Sequence, residues 1–363
     1  MFYRKLWLIC IYVSCFMVLM VLAGCSKSTF TTLAVTSSST PGFTITPTPT
    51  ASEITSPVTS QPEKAGPNSE AIFAITNGPD GNLWFTETTG NKIGQISPTT
   101  GVVISHDINM SDIGSEGITA GPDGNLWFTE DQGSKIGTIS PMTGVVNEYN
   151  IPFGSFGITN GPDENLWLTE LGGNKIGKIS PITYVVTEYI IPTNRYIAPT
   201  AITTGPDCNL WFTDWWGNQI GEISPTTDVI TMYNIPTAGI VNGITAGPDG
   251  NLWFTETNAN KIGKISPATG IVTEYNITTA NTGPFGITAG PDGNLWFTET
   301  NANKIGKISP ATSVVTEFNI PTANAGPHGI TSSPDGNLWF TETSGNIGKI
   351  STDGKITEYP VGN

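Results

Sequence analysis

The sequence predicts an all-β fold: a seven-bladed β-propeller of four-stranded antiparallel blades. Two observations carry this. The phrase G-I-T-x-G-P-D-G-N-L-W-F-T-E returns in close variants with its tryptophan at Trp84, Trp127, Trp167, Trp211, Trp253, Trp296 and Trp339, and the gaps are 43, 40, 44, 42, 43 and 43 residues. A period near forty is the length of one four-stranded blade. Between the tryptophans there is no helical spacing of apolar residues, only short β-branched and aromatic runs broken by Gly, Pro and Asn.

The repeat from Gly286 to Ile320 gives the elements in order. Gly286-Ile287-Thr288-Ala289 is an inner strand. Gly290-Pro291-Asp292-Gly293 is a turn, with proline presetting φ and glycine accepting φ > 0. Leu295 to Glu299 is the second strand, Lys304 to Ser309 the third, and Val314 to Phe318 the outer one. Alternation puts Trp296 on one face and Leu295 and Phe297 on the other, so both faces are apolar and each blade must pack between two neighbours. The last repeat carries its own outer strand, Lys355 to Tyr359. Ring closure is therefore expected by packing of blade seven on blade one, without a strand exchanged between the termini.

Upstream of the repeats the composition changes twice. Residues 1–24 read as an export signal: Arg4 and Lys5, an apolar run from Leu6 to Leu22, then Leu22-Ala23-Gly24-Cys25. Leu-Ala-Gly-Cys resembles a bacterial lipobox, which implies cleavage before Cys25 and lipidation of its sulfur. An uncleaved membrane anchor is the alternative, since the run is about long enough to span. Residues 25–68 are the lipidated cysteine and a Ser/Thr/Pro tract with little to bury, expected to be disordered. As a coil it would hold the propeller, residues 69–363, about 35 Å from the membrane. The expected location is extracytoplasmic, with membrane contact through the lipid anchor only. Cys208 is the sole cysteine of the propeller segment.

The formal net charge is −15. Phosphate binding needs basic patches, so nucleic acid and anionic lipid are excluded as partners. No P-loop, G-x-S-x-G, H-E-x-x-H or paired-cysteine motif occurs. A monomer is expected.

The phrases W-F-T-E, N-K-I-G-K-I-S-P, V-V-T-E-Y-x-I-P and G-P-H-G-I-T, the last at Gly326 to Thr331, resemble the virginiamycin B lyase family, the streptogramin lyases. The resemblance covers residues from about 70 to 363. It implies a seven-bladed propeller and a Mg²⁺-assisted elimination that linearises streptogramin B antibiotics at an ester, a histidine removing the proton α to the carbonyl. His328 matches the family's histidine in P-H-G-I. Glu342 is a near match, displaced by about one position, to a family glutamate that follows the last W-F phrase. Gly326 stands where the lyases have a metal-binding glutamate, Phe285 where they have a second histidine, and Phe73 where they have a tyrosine.

Geometry gives a site independently. In a four-stranded blade the entrance to the inner strand and the exit of the second strand lie at one end. The residue before each G/A-I-T therefore forms a ring at the channel mouth: Phe73, Glu116, Phe156, Thr200, Asn242, Phe285 and His328. The scaffold around it repeats, yet this position changes chemical type in nearly every blade, as expected of a ligand site. Alternatively the phenylalanines plug the channel and the polar members are solvated. The acids closing each second strand (Glu87, Glu130, Glu170, Asp214, Glu256, Glu299, Glu342) form a second set on that rim. Five precede a lysine on the facing strand, so cross-strand ion pairs are expected there. Asp214 faces Gln219, and Glu342 has lost its lysine to a deletion, which leaves both unneutralised. Trp215 and Trp216 replace the usual turn residues of blade four, and suit stacking on a ring or sugar or packing on the connection Tyr189–Pro199. His106 is expected to be a solvated edge residue.

Two functions follow. One is a tethered propeller binding a small molecule, sugar or peptide through the ring and the Trp215/Trp216 pair. The other is a Mg²⁺-dependent lyase with His328 as base, Glu342 as metal ligand or orienter, and Glu116 or Asn242 contacting substrate.

Overall fold

The computed structural model describes residues 72–88, 90–108, 114–130 and 134–362. The expected signal, the tether and Cys25 lie outside these residues. Blade one is β1 (Ile72–Asn77), β2 (Leu83–Glu87), β3 (Lys92–Ile96) and β4 (Val103–Asp107). Six further sheets repeat this order, each from four consecutive antiparallel strands. The seven-bladed propeller is thus observed, and every blade is closed by its own outer strand.

The second strands are buried along their whole length because a neighbouring blade covers each face. One cluster joins Trp84 and Ile93 of blade one to Leu126, Phe128 and Ile139 of blade two. The seam between the last and first blades is built the same way, with Trp339 and Ile347 packed on Ile72, Leu83 and Phe85. The G-P-D turns also serve this core. Their aspartates accept a hydrogen bond from the tryptophan indole N–H four residues on, at 2.9–3.0 Å in the first six blades. An aromatic ring on the outer strand then stacks on each tryptophan, as Tyr275 does on Trp253 at 5.5 Å.

In blade one that aromatic is His106, stacked on Trp84 at 5.3 Å and half-buried, so the expectation of a solvated edge histidine was wrong. Blade three shows how the core tolerates a departure from the repeat. It reads W-L-T-E, and the ring of Phe153, from the loop before its inner strand, lies over Gly177 in the place the missing phenylalanine would fill.

The threonine of W-F-T-E links successive blades. Thr298 Oγ1 accepts from the Gly286 N–H of its own inner strand at 2.9 Å and donates to the His328 carbonyl of the next blade at 2.7 Å. Thr129, Thr169, Thr213 and Thr255 do the same. Thr341 donates to the Phe73 carbonyl at 2.7 Å, which closes the ring. The blades approach so closely here that a Cβ on Gly286 would stand 2.4 Å from the His328 carbonyl oxygen.

Thr298→Val keeps the shape of the side chain but strands a buried donor and a buried acceptor. It is expected to cost about 1–3 kcal/mol, read as a lower unfolding midpoint in denaturant. Thr298→Ser retains both bonds and is expected to lose clearly less.

Candidate functional site: the ring at the channel

The register of each inner strand slips near its entrance. Ile72 pairs Glu87 and Ile75 pairs Phe85, so three residue steps on β1 run against two on β2. Every other blade repeats the irregularity at the same place, as at Pro327/Ile330. Such a bulge re-aims a side chain, and here it sits at the ring position, where the threonine bridge holds the following N–H and the ring carbonyl.

All seven ring residues, Phe73, Glu116, Phe156, Thr200, Asn242, Phe285 and His328, line one cavity of about 200 Å³. Residues that follow ring members also line it, among them Ala74, Gly117, Ile118 and Gly329, and none that immediately precedes one does. The space therefore extends from the ring into the channel toward the G-P-D-G end, deeper than a site on the mouth itself. Phe73 meets Phe156 (5.7 Å) and Phe285 (5.9 Å) edge to face. The His328 imidazole lies against Phe73 at 3.9 Å and Phe285 at 3.7 Å. The expected phenylalanine plug is in this sense real, with a histidine built into it.

The polar members are tied to their own blades. Thr200 and Thr213 share a hydroxyl hydrogen bond of 2.9 Å, and the Asn242 amide donates to Thr257. His328 is buried, and desolvation pushes its pKa down to about 3 against a hydrogen bond with the Phe73 backbone. It is a neutral imidazole at physiological pH, and its buried Nδ1 has no hydrogen-bond partner.

The closing acids are not an open rim. All seven side chains are buried, Glu256 and Glu299 completely. In several blades the facing lysine reaches past its acid. Lys261 pairs with Glu274 at 2.9 Å and Lys304 with Glu317 at 3.7 Å, both glutamates on outer strands. In blade three Lys175 is 2.8 Å from Glu188 and 4.0 Å from Glu170. In these blades the lysine's closest carboxylate is the outer-strand one rather than the closing acid, because the ammonium stays where water reaches it. Asp214 is neutralised after all: Arg195, from the long connection before blade four, donates to it at 3.0 Å and to Gln219 at 2.6 Å. Glu342 accepts from Asn346 at 3.0 Å and Ser344 at 3.3 Å. Arg195 and the outer-strand glutamates were missed in the sequence; the T-E-Y phrase recurring opposite N-K-I-G-K was the available signal for the latter.

Burial, and next the facing outer-strand carboxylate, raise Glu170, Glu256 and Glu299 to about 8. Glu342 is raised as well, mainly by burial. Two facing carboxylates have no donor between them, and a retained proton supplies one. A Cβ at Gly306 would stand 2.6 Å from Glu299 Oε1, so the glycine makes the room for this carboxyl.

Glu342, Trp215 and Trp216 do not border the cavity. The two tryptophans stack on each other at 5.3 Å, with Trp215 partly covered and Trp216 exposed. Among the described residues no group of three or more His, Cys, Asp or Glu side chains is arranged to hold a metal ion. The donors nearest the family's magnesium pattern, Glu342 with Gly326 in place of a second carboxylate, do not fit that ion, which leans on one or two accessible carboxylates.

These features define a repeat scaffold in which one ring of non-repeating side chains converges on the channel. The virginiamycin B lyase family matches residues 55–241 and 240–363, and the chain belongs to that family. A solved streptogramin B lyase is 38% identical, with a TM-score of 0.73, covering 80% of this chain and 94% of that one. Selenomethionine-substituted virginiamycin B lyase from Staphylococcus aureus is 37% identical, with a TM-score of 0.73 and coverage of 80% and 97%. A catalytically inactive histidine-to-alanine variant of that enzyme, solved with quinupristin, is 37% identical, with a TM-score of 0.73 and coverage of 78% and 96%. No curated protein sequence matches the chain.

The raised carboxyl pKa values make stability depend on pH with a definite sign. A group raised in the folded state stabilises fully below its unfolded pKa, near 4.5, and loses that contribution as pH rises through about 8. Thermal unfolding is expected to fall in midpoint between pH 5 and 9, and the slope to flatten in the double variant Glu256→Gln, Glu299→Gln.

Proposed function

We propose that this propeller is a binding member of its family, taking a small amphiphilic molecule in the channel cavity, and that Cys25 tethers it by lipid outside the cytoplasm. The observation that carries the binding reading is the convergence of all seven non-repeating side chains on one cavity of about 200 Å³. A scaffold held constant around one variable ring is what a ligand site on a repeat protein looks like. Trp215 and the exposed Trp216 would extend recognition to a peptide or sugar at the edge of blade four. The test is calorimetric titration of hits from small-molecule, glycan and peptide arrays against the full-length protein. Phe285→Ala is expected to weaken binding at least tenfold with little loss of fold, and unchanged binding in that variant counts against the cavity. Cys25→Ala is expected to move the protein from the membrane fraction to the soluble one.

A second reading, elimination on streptogramin B or a related ester, is supported by family membership and by 38% identity to a streptogramin B lyase. His328 would be its base, with a neutral Nδ1 able to accept a proton. Burial makes that base weak, with a pKa near 3, and catalytic bases work best with a pKa near the working pH. Among the described residues the carboxylates for Mg²⁺ do not assemble. With Mg²⁺ supplied, the wild type is expected to leave streptogramin B intact. Ring opening abolished by His328→Ala would establish the lyase reading instead.

A further inference from the structure

We infer that the channel cavity takes a neutral phenol, a single aromatic ring whose hydroxyl donates to His328. The inference rests on the binding reading above and names the class of its ligand. It comes from counting which hydrogen-bonding groups of the lining are already engaged. The N–H that follows each ring residue goes to a threonine hydroxyl in all seven blades. Six of the ring carbonyls accept from those threonines. Thr213 gives its one hydrogen to the Asn242 carbonyl, so in its 2.9 Å contact with Thr200 the Thr200 hydroxyl is the donor. Asn242 gives an amide hydrogen to Thr257, whose own hydrogen goes to the Pro284 carbonyl at 2.7 Å.

What the lining leaves open is mainly lone pairs. The bond of His328 with the Phe73 backbone favours the charged imidazole, as only a donated N–H does. The neutral ring has one N–H, so Nδ1, which has no partner, is an acceptor. The Thr200 oxygen and Asn242 Oδ1 can accept as well. A ligand that brings a hydrogen meets partners here, and one without a donor leaves Nδ1 unsatisfied, which is costly. Charge is not selected. Among the described residues no lysine or arginine lines the cavity, and Glu116 already has an interaction of its own. An ion would give up its water in an aromatic space without a compensating partner. Phe73, Phe156 and Phe285 suit a flat apolar body, since rings pack on rings edge to face as these already do. Size agrees as well. An apolar cavity of about 150 Å³ holds one benzene, so about 200 Å³ holds one ring and a few further atoms.

The experiment compares phenol with toluene, near-isosteres of which only phenol donates a hydrogen bond, by titration calorimetry on the full-length protein at about pH 7, where a phenol is neutral. Toluene is the more hydrophobic of the two, so a cavity that reads shape alone prefers it. The wild type is instead expected to bind phenol about tenfold tighter, the size of one well-made hydrogen bond. His328→Phe keeps a ring and removes the acceptor. It is expected to erase the preference while toluene still binds, and Phe285→Ala is expected to weaken both. Toluene bound as tightly as phenol or tighter by the wild type, with both sensitive to Phe285→Ala, overturns the phenol inference and leaves the cavity reading standing. A phenol preference unchanged in His328→Phe overturns the donation to His328. Absence of binding by both probes overturns the phenol inference and the cavity reading together. The wild-type comparison decides the class of ligand even if His328→Phe does not fold.

Discussion

The constraint on which the rest depends is the threonine hydroxyl that stands between two blades. It accepts a main-chain N–H from one inner strand and donates to a main-chain carbonyl of the next, both partly buried. A buried polar group without a partner is expensive, so the two strands are held at one separation. The bulge at the same residues turns the ring side chains toward the axis. Scaffold and site are thus fixed by a single repeated contact: the backbone of each ring position is invariant in geometry, and its side chain is free to differ.

That freedom has been used unevenly. The part of the ring around Phe285, His328 and Phe73 is a packed aromatic group, and the polar members Glu116, Thr200 and Asn242 lie in the rest. His328 illustrates how environment decides chemistry. In water an imidazole would titrate near neutrality; between two phenylalanine rings it is a fixed acceptor. The closing acids show the reverse case, carboxyl groups that keep protons because a neighbouring blade has displaced their water. Both follow from the same burial, applied to a base and to acids.

Blade number, strand order, ring membership and the outer strand that each blade supplies for itself were legible because each rests on local pattern repeated seven times. The acids were misjudged for a physical reason. Their register opposite the lysines was read correctly, Glu256 against Lys261 for example, but register does not say where a flexible ammonium ends. Packing of the next blade excludes it from the second strand, and it settles on Glu274. Arg195 could not be found by any repeat argument, since it comes from the long connection before blade four and meets Asp214 across 19 residues of chain. His106 was misplaced because its blade substitutes it for a tyrosine or phenylalanine, and stacking rather than charge governs that position.

The seam between the first and last blades has a mechanical meaning. Many toroids latch their circle by weaving one terminus into the far end, so that opening means tearing a sheet. Here the circle is fastened by side-chain faces, the Thr341 hydroxyl and the Asn77 amide on the Ser332 carbonyl. Tension applied at the two ends falls first on this junction, which can part with both adjoining sheets intact. By the same token the chain could be cut and rejoined at another blade boundary, since among the described residues no strand of one blade is woven into another.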